Sequence, residues 1–162
     1  MKARIITTLI IGACAATSIN AQSVLNTKNN NHIELLFFQH ANNGSIKPAS
    51  SGCYDLVFSD VDKDVIYFAN SPSKKVGTLT LQQYVKTMTH SQLVDKIKPN
   101  AVLNFKLGAE TRSENMIGSL SNANFEKNKF HYTFCPFNNS VVKNGEIRSI
   151  HLFVDPIHRW PP

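Results

Sequence analysis

The sequence predicts a mainly β domain, antiparallel and sandwich-like, with one short helix. Three observations carry this. Short apolar runs alternate at period two in several places, one segment alone switches to helical spacing, and Gly, Pro and Asn clusters punctuate the chain. An α+β domain whose helix covers one sheet face is the alternative, whereas the spacing does not fit repeated βαβ units and a doubly wound nucleotide fold. With 162 residues, 42% of them hydrophobic, and 17 Lys plus Arg against 11 Asp plus Glu, the chain is neither a charged disordered tail nor a collagen.

Residues 1–21 read as an export leader. Lys2 and Arg4 precede the apolar run Ile5–Ala13, which is too short for the ~20 residues of a membrane span. Ile19-Asn20-Ala21 supplies a small residue before a cut, so cleavage is placed after Ala21. A second reading stays open: Ile11-Gly12-Ala13-Cys14 resembles a lipobox, in which Cys14 is lipidated and the protein remains anchored. Residues 22–31, rich in Asn, form a flexible lead-in, and residues 32–162 form a single globular domain.

Within that domain Ile33–Phe38 has strand composition, and Ala41–Ser45 through Ser51-Gly52 has the composition of a turn and loop. Tyr54–Phe58 and Val65–Phe68 read as neighbouring antiparallel strands joined by the polar break Ser59–Asp64. After Gly77, the positions Leu81, Tyr84, Val85 and Met88 share one helical face, with Thr80 as N-cap and Gln83 completing a capping box. Ser91–Lys98 can add a short helical turn, stopped by Pro99. Alternation then returns at Ala101–Leu107, Phe130–Phe134 and Ile150–Val154. Met116–Leu120 is an ambiguous strand, and Asn144-Gly145 is a tight-hairpin signal.

The leader removes Cys14 under either reading, leaving Cys53 and Cys135 as a pair in an oxidising compartment. A Cys53–Cys135 disulfide, stapling sheet to sheet, is the expectation; two buried free thiols are the competing state.

The stretch Leu56–Val61, Val65–Phe68, Ser71–Gly77 and Tyr84-Val85 resembles a group of small exported bacterial proteins of unknown activity. In these a strand pair ending in Tyr-Phe is followed by a Pro-and-basic loop, a Gly and a short helix. The resemblance covers about residues 54–105 and implies export and a shared fold core, with no reaction. Asn70-Ser71-Pro72-Ser73 departs from the more acidic, Arg-rich loop of that pattern.

Chemical motifs are sparse. Asp60, Asp62 and Asp64 alternate as calcium ligands do, but an EF-hand loop beginning at Asp60 would need Gly at Val65 and Glu at Ser71, so a solvated turn is preferred. His131 and His151 could meet if their strands pair, and with His158 and Asp155 could hold zinc or copper. Half-exposed polar positions on an outer sheet face are the competing and favoured reading. No P-loop, G-x-G-x-x-G, G-x-S-x-G or H-E-x-x-H motif is present, so no cofactor is expected and no catalytic residue is assigned. The lysines are scattered, without a basic stripe interleaved with aromatics, which argues against nucleic acid.

These observations predict a secreted or periplasmic domain that binds a protein or envelope component, with Tyr67, Phe68, Lys74, Lys75 and Trp160 as candidate contacts. A small hydrolase with dispersed catalytic groups is the alternative. The intact mass of the exported chain is expected to begin at Gln22 and to rise by two hydrogens on reduction, whereas a lipid increment on Cys14 would show anchoring.

Overall fold

In a computed structural model, which describes residues 35–69, 74–94, 98–138 and 141–155, the chain is organised around its first strand, β1 (Leu35–Pro48). A short 3-10 turn at Ser50–Gly52 leads into β2 (Tyr54–Val61), followed by β3 (Asp64–Ala69) and β4 (Val76–Thr80). Then come the helix α1 (Leu81–Val94), β5 (Asn100–Leu107), β6 (Ser113–Glu126), β7 (Lys129–Pro136) and β8 (Gly145–Asp155). All pairings are antiparallel, in the order β2-β7-β6-β5-β8-β1, and β1 also pairs with β2, so six strands close a barrel. The β3–β4 hairpin extends the wall beyond the first residues of β1.

The expected sandwich is therefore replaced by a barrel, and the cause lies in four strands, β1, β2, β6 and β8. In each, the inside–outside alternation inverts once. Core-facing positions pass from Ala41 to Ile46 in β1, from Phe58 to the partly buried Val61 in β2, from Leu120 to the partly buried Ala123 in β6 and from Ile147 to Ile150 in β8. In three of them the inversion coincides with a residue in the left-handed region: Asp60, Asn122 and Ser149. The β6–β7 ladder slips its register between Ser121 and Asn124, and the β5–β8 ladder slips between Asn104 and Lys106, opposite Ser149. An extra residue in such a conformation bends and twists a strand, and the bends let one sheet roll into a tube. Asn42 ties its bend to the neighbouring one by donating from Nδ2 to Asp60 Oδ2 at 2.9 Å.

Several local expectations change for the same reason. Ala41–Ser45 is the continuation of β1, not a loop. Gly44 sits there because a Cβ would lie 2.5 Å from the Val57 carbonyl oxygen. β2 and β3 do not pair; they share β1, which takes β3 along its first residues and β2 along its remainder. Met116–Leu120 is the middle of a fourteen-residue strand, and the tight two-residue turn is Lys127-Asn128, both at positive φ, between β6 and β7. Asn144-Gly145 makes no hairpin, since β7 and β8 are not neighbours; Gly145 begins β8 opposite Ile46.

Small barrels fill with side chains. Leu56, Phe58, Leu103, Phe105, Leu120, Phe134, Ile147 and Leu152 are all fully buried. A buried hydrogen bond crosses this interior between strands that are not paired, from the Tyr132 hydroxyl on β7 to Gln39 Oε1 on β1 at 2.7 Å. The helix forms as predicted but runs on to Val94, its start fixed by the capping box. The Gln83 N–H donates to Thr80 Oγ1 at 3.3 Å and the Thr80 N–H to Gln83 Oε1 at 3.0 Å. Its face of Leu81, Tyr84 and Met88 is buried. The Tyr84 ring packs at 5.3 Å from Phe37 and 5.9 Å from Phe130, where β1 and β7 begin, so it caps the core at that end of the barrel.

The disulfide between Cys53 and Cys135 is present. It extends the β2–β7 register by one position beyond Tyr54–Phe134, so it joins adjacent strands of one wall; the expected staple between sheets is corrected. Its sequence separation of 82 residues corresponds to about 4.5 kcal/mol of lost unfolded-state entropy. Among the described residues no helix is long and apolar enough to cross a membrane.

Tyr84 carries a hydroxyl without a hydrogen-bond partner of acceptable geometry, inside a cluster that needs its ring. Tyr84→Ala is therefore expected to cost roughly 3–5 kcal/mol, whereas Tyr84→Phe should be neutral or stabilising by up to about 1 kcal/mol. Denaturant melts of the two variants check this, and equal losses would show that the hydroxyl, not the ring, holds the helix.

Candidate binding surface

Sequence alternation that buries one face of a strand normally leaves the other polar. Here the outer wall is apolar along one row. Ile117 (β6) stands opposite Val102 (β5), Val102 opposite Phe153 (β8), Phe153 opposite Phe38 (β1) and Phe38 opposite Ile66 (β3). Beside this row Leu36 faces Phe68, and Phe68 faces Val76. Ile117 is 56% exposed, Phe153 50% and Phe68 47%. Phe38 and Phe153 pack on one another at 4.9 Å between ring centroids. The result is an apolar belt that crosses four of the six barrel strands and continues over the β3–β4 hairpin.

A polar row runs alongside, one pleat further along the same face. Asn115, Asn104, His151 and His40 occupy consecutive strands in register. Asn104 Nδ2 donates to Asn115 Oδ1 at 2.7 Å, and His151 Nδ1 lies 3.4 Å from Asn104 Oδ1. The imidazoles of His40 and His151 are 5.2 Å apart, and His40 Nδ1 reaches Asp62 Oδ2 at 3.2 Å. Burial, and then the neighbouring His40, hold the His151 pKa below its ordinary value. Past this row Lys106 and Arg148 face each other on β5 and β8, and among the described residues neither has an ion-pair partner.

The predicted site residues are dispersed by this geometry. His131 lies on β7 opposite Val57 and Asn124, and β7 and β8 occupy opposite sides of the barrel, so the proposed meeting of His131 with His151 does not occur. Asp155 is exposed at the far end of β8, and His158 falls outside the described residues. Among the described residues no three His, Cys, Asp or Glu side chains converge on a metal-sized point. Tyr67 is buried over Gly77, where a Cβ would touch its ring, while Phe68, Lys74 and Lys75 are exposed and Phe68 belongs to the belt. Trp160 falls outside the described residues. His40 does sit beside a carboxylate, as a hydrolase would require, but on an open wall with no serine or cysteine among its hydrogen-bond partners.

Sequence reasoning missed the belt and His40. Its signal was available in the doubled apolar positions Leu35-Leu36-Phe37-Phe38, Ala101-Val102-Leu103, Met116-Ile117 and Leu152-Phe153-Val154, where both faces of a strand are greasy. No protein family, characterised protein or solved structure shows significant similarity to the chain.

The depressed pKa of His151 fixes the sign of one pH effect. The folded value lies below the unfolded one of about 6.5, so the stability it confers is present above that value and is lost as pH falls through the folded value. On acidification from about pH 7.5 to about pH 5 in EDTA-containing buffer, the native chain should lose more of its melting temperature than His151→Gln does. Parallel curves would remove His151 as the cause.

Proposed function

We propose that the chain is an exported binding module that holds a protein partner on its apolar belt. The observation that carries this is the unbroken register of apolar side chains from Ile117 to Ile66 across the outer wall, continued by Leu36, Phe68 and Val76. Water-facing walls seldom keep contiguous apolar patches of this kind unless something covers them. The partner's contact face is apolar at its centre and acidic at its rim. Lys106 and Arg148 repel one another across adjacent strands, and an acidic group from outside would relieve that cost. Lys74 and Lys75, just before Val76, add positive charge on the opposite margin of the belt. Export is supported by the leader pattern of residues 1–21 and by the Cys53–Cys135 bond, since disulfides persist in oxidising compartments.

A photo-crosslinking residue in place of Phe153 tests the reading in the exporting host, with the same substitution at Thr133 on the opposite wall as control. Adducts with one acidic protein are expected from Phe153 and not from Thr133. The purified partner should then bind Phe153→Ser or Ile117→Ser about 30-fold or more weakly, at unchanged melting temperature. Equal adducts from both positions, or adducts only with a second copy of this chain, would overturn it.

A further inference from the structure

The polar row contains two histidines that the belt does not employ. We infer that His40 and His151 form a two-imidazole site for a divalent transition-metal ion of the class that prefers nitrogen donors, Zn²⁺ or Cu²⁺. The two residues are directly opposed on adjacent strands, so the ladder fixes their spacing, with ring centroids 5.2 Å apart. Imidazoles sharing one ion at ~2.0–2.1 Å with a tetrahedral angle place their centroids about 5 Å apart, the spacing these two rings have.

The hydrogen bonds supply the second, independent reason. His40 is held at Nδ1 by the Asp62 carboxylate, and His151 at Nδ1 by the Asn104 amide oxygen; these partners flank the pair on opposite sides. A carboxylate can only accept, and the Asn104 amide group is oriented by its own donation to Asn115, so both Nδ1 atoms carry the hydrogen. In the neutral ring the lone pair then sits on Nε2. A ring N–H committed to a carboxylate or carbonyl oxygen, with the opposite nitrogen free, is how proteins prepare ligating histidines. Two protein ligands leave the remaining coordination positions open, filled by water or by donors from outside.

Calorimetric titration of the exported chain with Zn²⁺ alone, and separately with Cu²⁺ alone, at about pH 7.5 tests the site. One saturable equivalent is expected, tighter for Cu²⁺ than for Zn²⁺. His40→Gln and His151→Gln should each weaken it at least 10-fold, and Asp62→Asn should weaken it measurably through the lost orientation of His40. His131→Gln should leave it unchanged. Both histidines lie on the outer wall, so the metal-free variants should keep their circular dichroism spectra, which confirms that any loss is not unfolding. The proposal fails if neither ion binds more tightly than to the His40→Gln/His151→Gln double variant, or if His131→Gln removes the binding equally.

Discussion

The structure depends on the pairing of β1 along both of its edges. One edge is taken by β8 from Phe37 to Ile46; the other is shared between β3 and then β2. Without the β1–β2 ladder the sheet would be open, with β2 and the later part of β1 unpaired, and the interior side chains would face water. Without the β1–β3 ladder the hairpin would be detached, and with it the strand β4 that delivers α1. Closure is thus a condition for the helix as well as for the barrel, because the Tyr84 ring needs Phe37 and Phe130 held together. The bends at Asp60, Asn122 and Ser149 are what make closure geometrically possible.

Those same bends explain which parts of the fold could be read from the sequence. α1 was legible because its signals are local: the capping box lies within four residues and the apolar face within eight. The straight strands β5 and β7 were legible because Ala101–Leu107 and Phe130–Phe134 alternate without interruption. The four strands that invert their alternation are legible only in part, since a period-two test stops where the phase flips, at a left-handed residue in three of them. Asn and Gly at positions 42–44 looked like a turn for a good reason, as such residues favour bends; here the bend is inside a strand. The site suffered more. His131 and His151 each sit on a correctly identified strand, yet whether they meet depends on strand order, which is long-range information that the pattern of one strand does not contain.

The interior also holds a polar element that hydrophobic patterning would not require. Gln39 Nε2 and the Tyr84 hydroxyl are buried without a partner of acceptable geometry, and the Tyr132 hydroxyl, which donates to Gln39, lies near enough to Tyr84 to interact with it. Burial pushes both phenols well above their ordinary range, so they remain neutral hydroxyls. An apolar residue at position 39 would avoid the unmet Nε2, but it would also remove a hydrogen bond that spans the lumen from β1 to β7. That bond favours a single relative placement of the two walls, which a purely greasy core of interchangeable contacts specifies less well.

The barrel finally has two unlike faces. β6, β5, β8 and β1 carry the belt and the polar row beside it, while β2 and β7 show Asp55, Val57, Ser59, His131 and Thr133 outward and bear the disulfide at their end. Stability and exposure are thereby separated. The covalent tie reinforces the wall that does not carry the belt. On the other wall, the cross-strand register that aligns Ile117, Val102, Phe153 and Phe38 also aligns Asn104, His151 and His40. A one-residue slip of β8 against β1 would turn Phe153 and His151 inward and destroy both rows together. The buried face forbids that slip, because Leu152 and Val154 would be forced into water. The core thus fixes the geometry of the surface, and the apolar belt and the imidazole pair are held in place by residues that never touch the solvent.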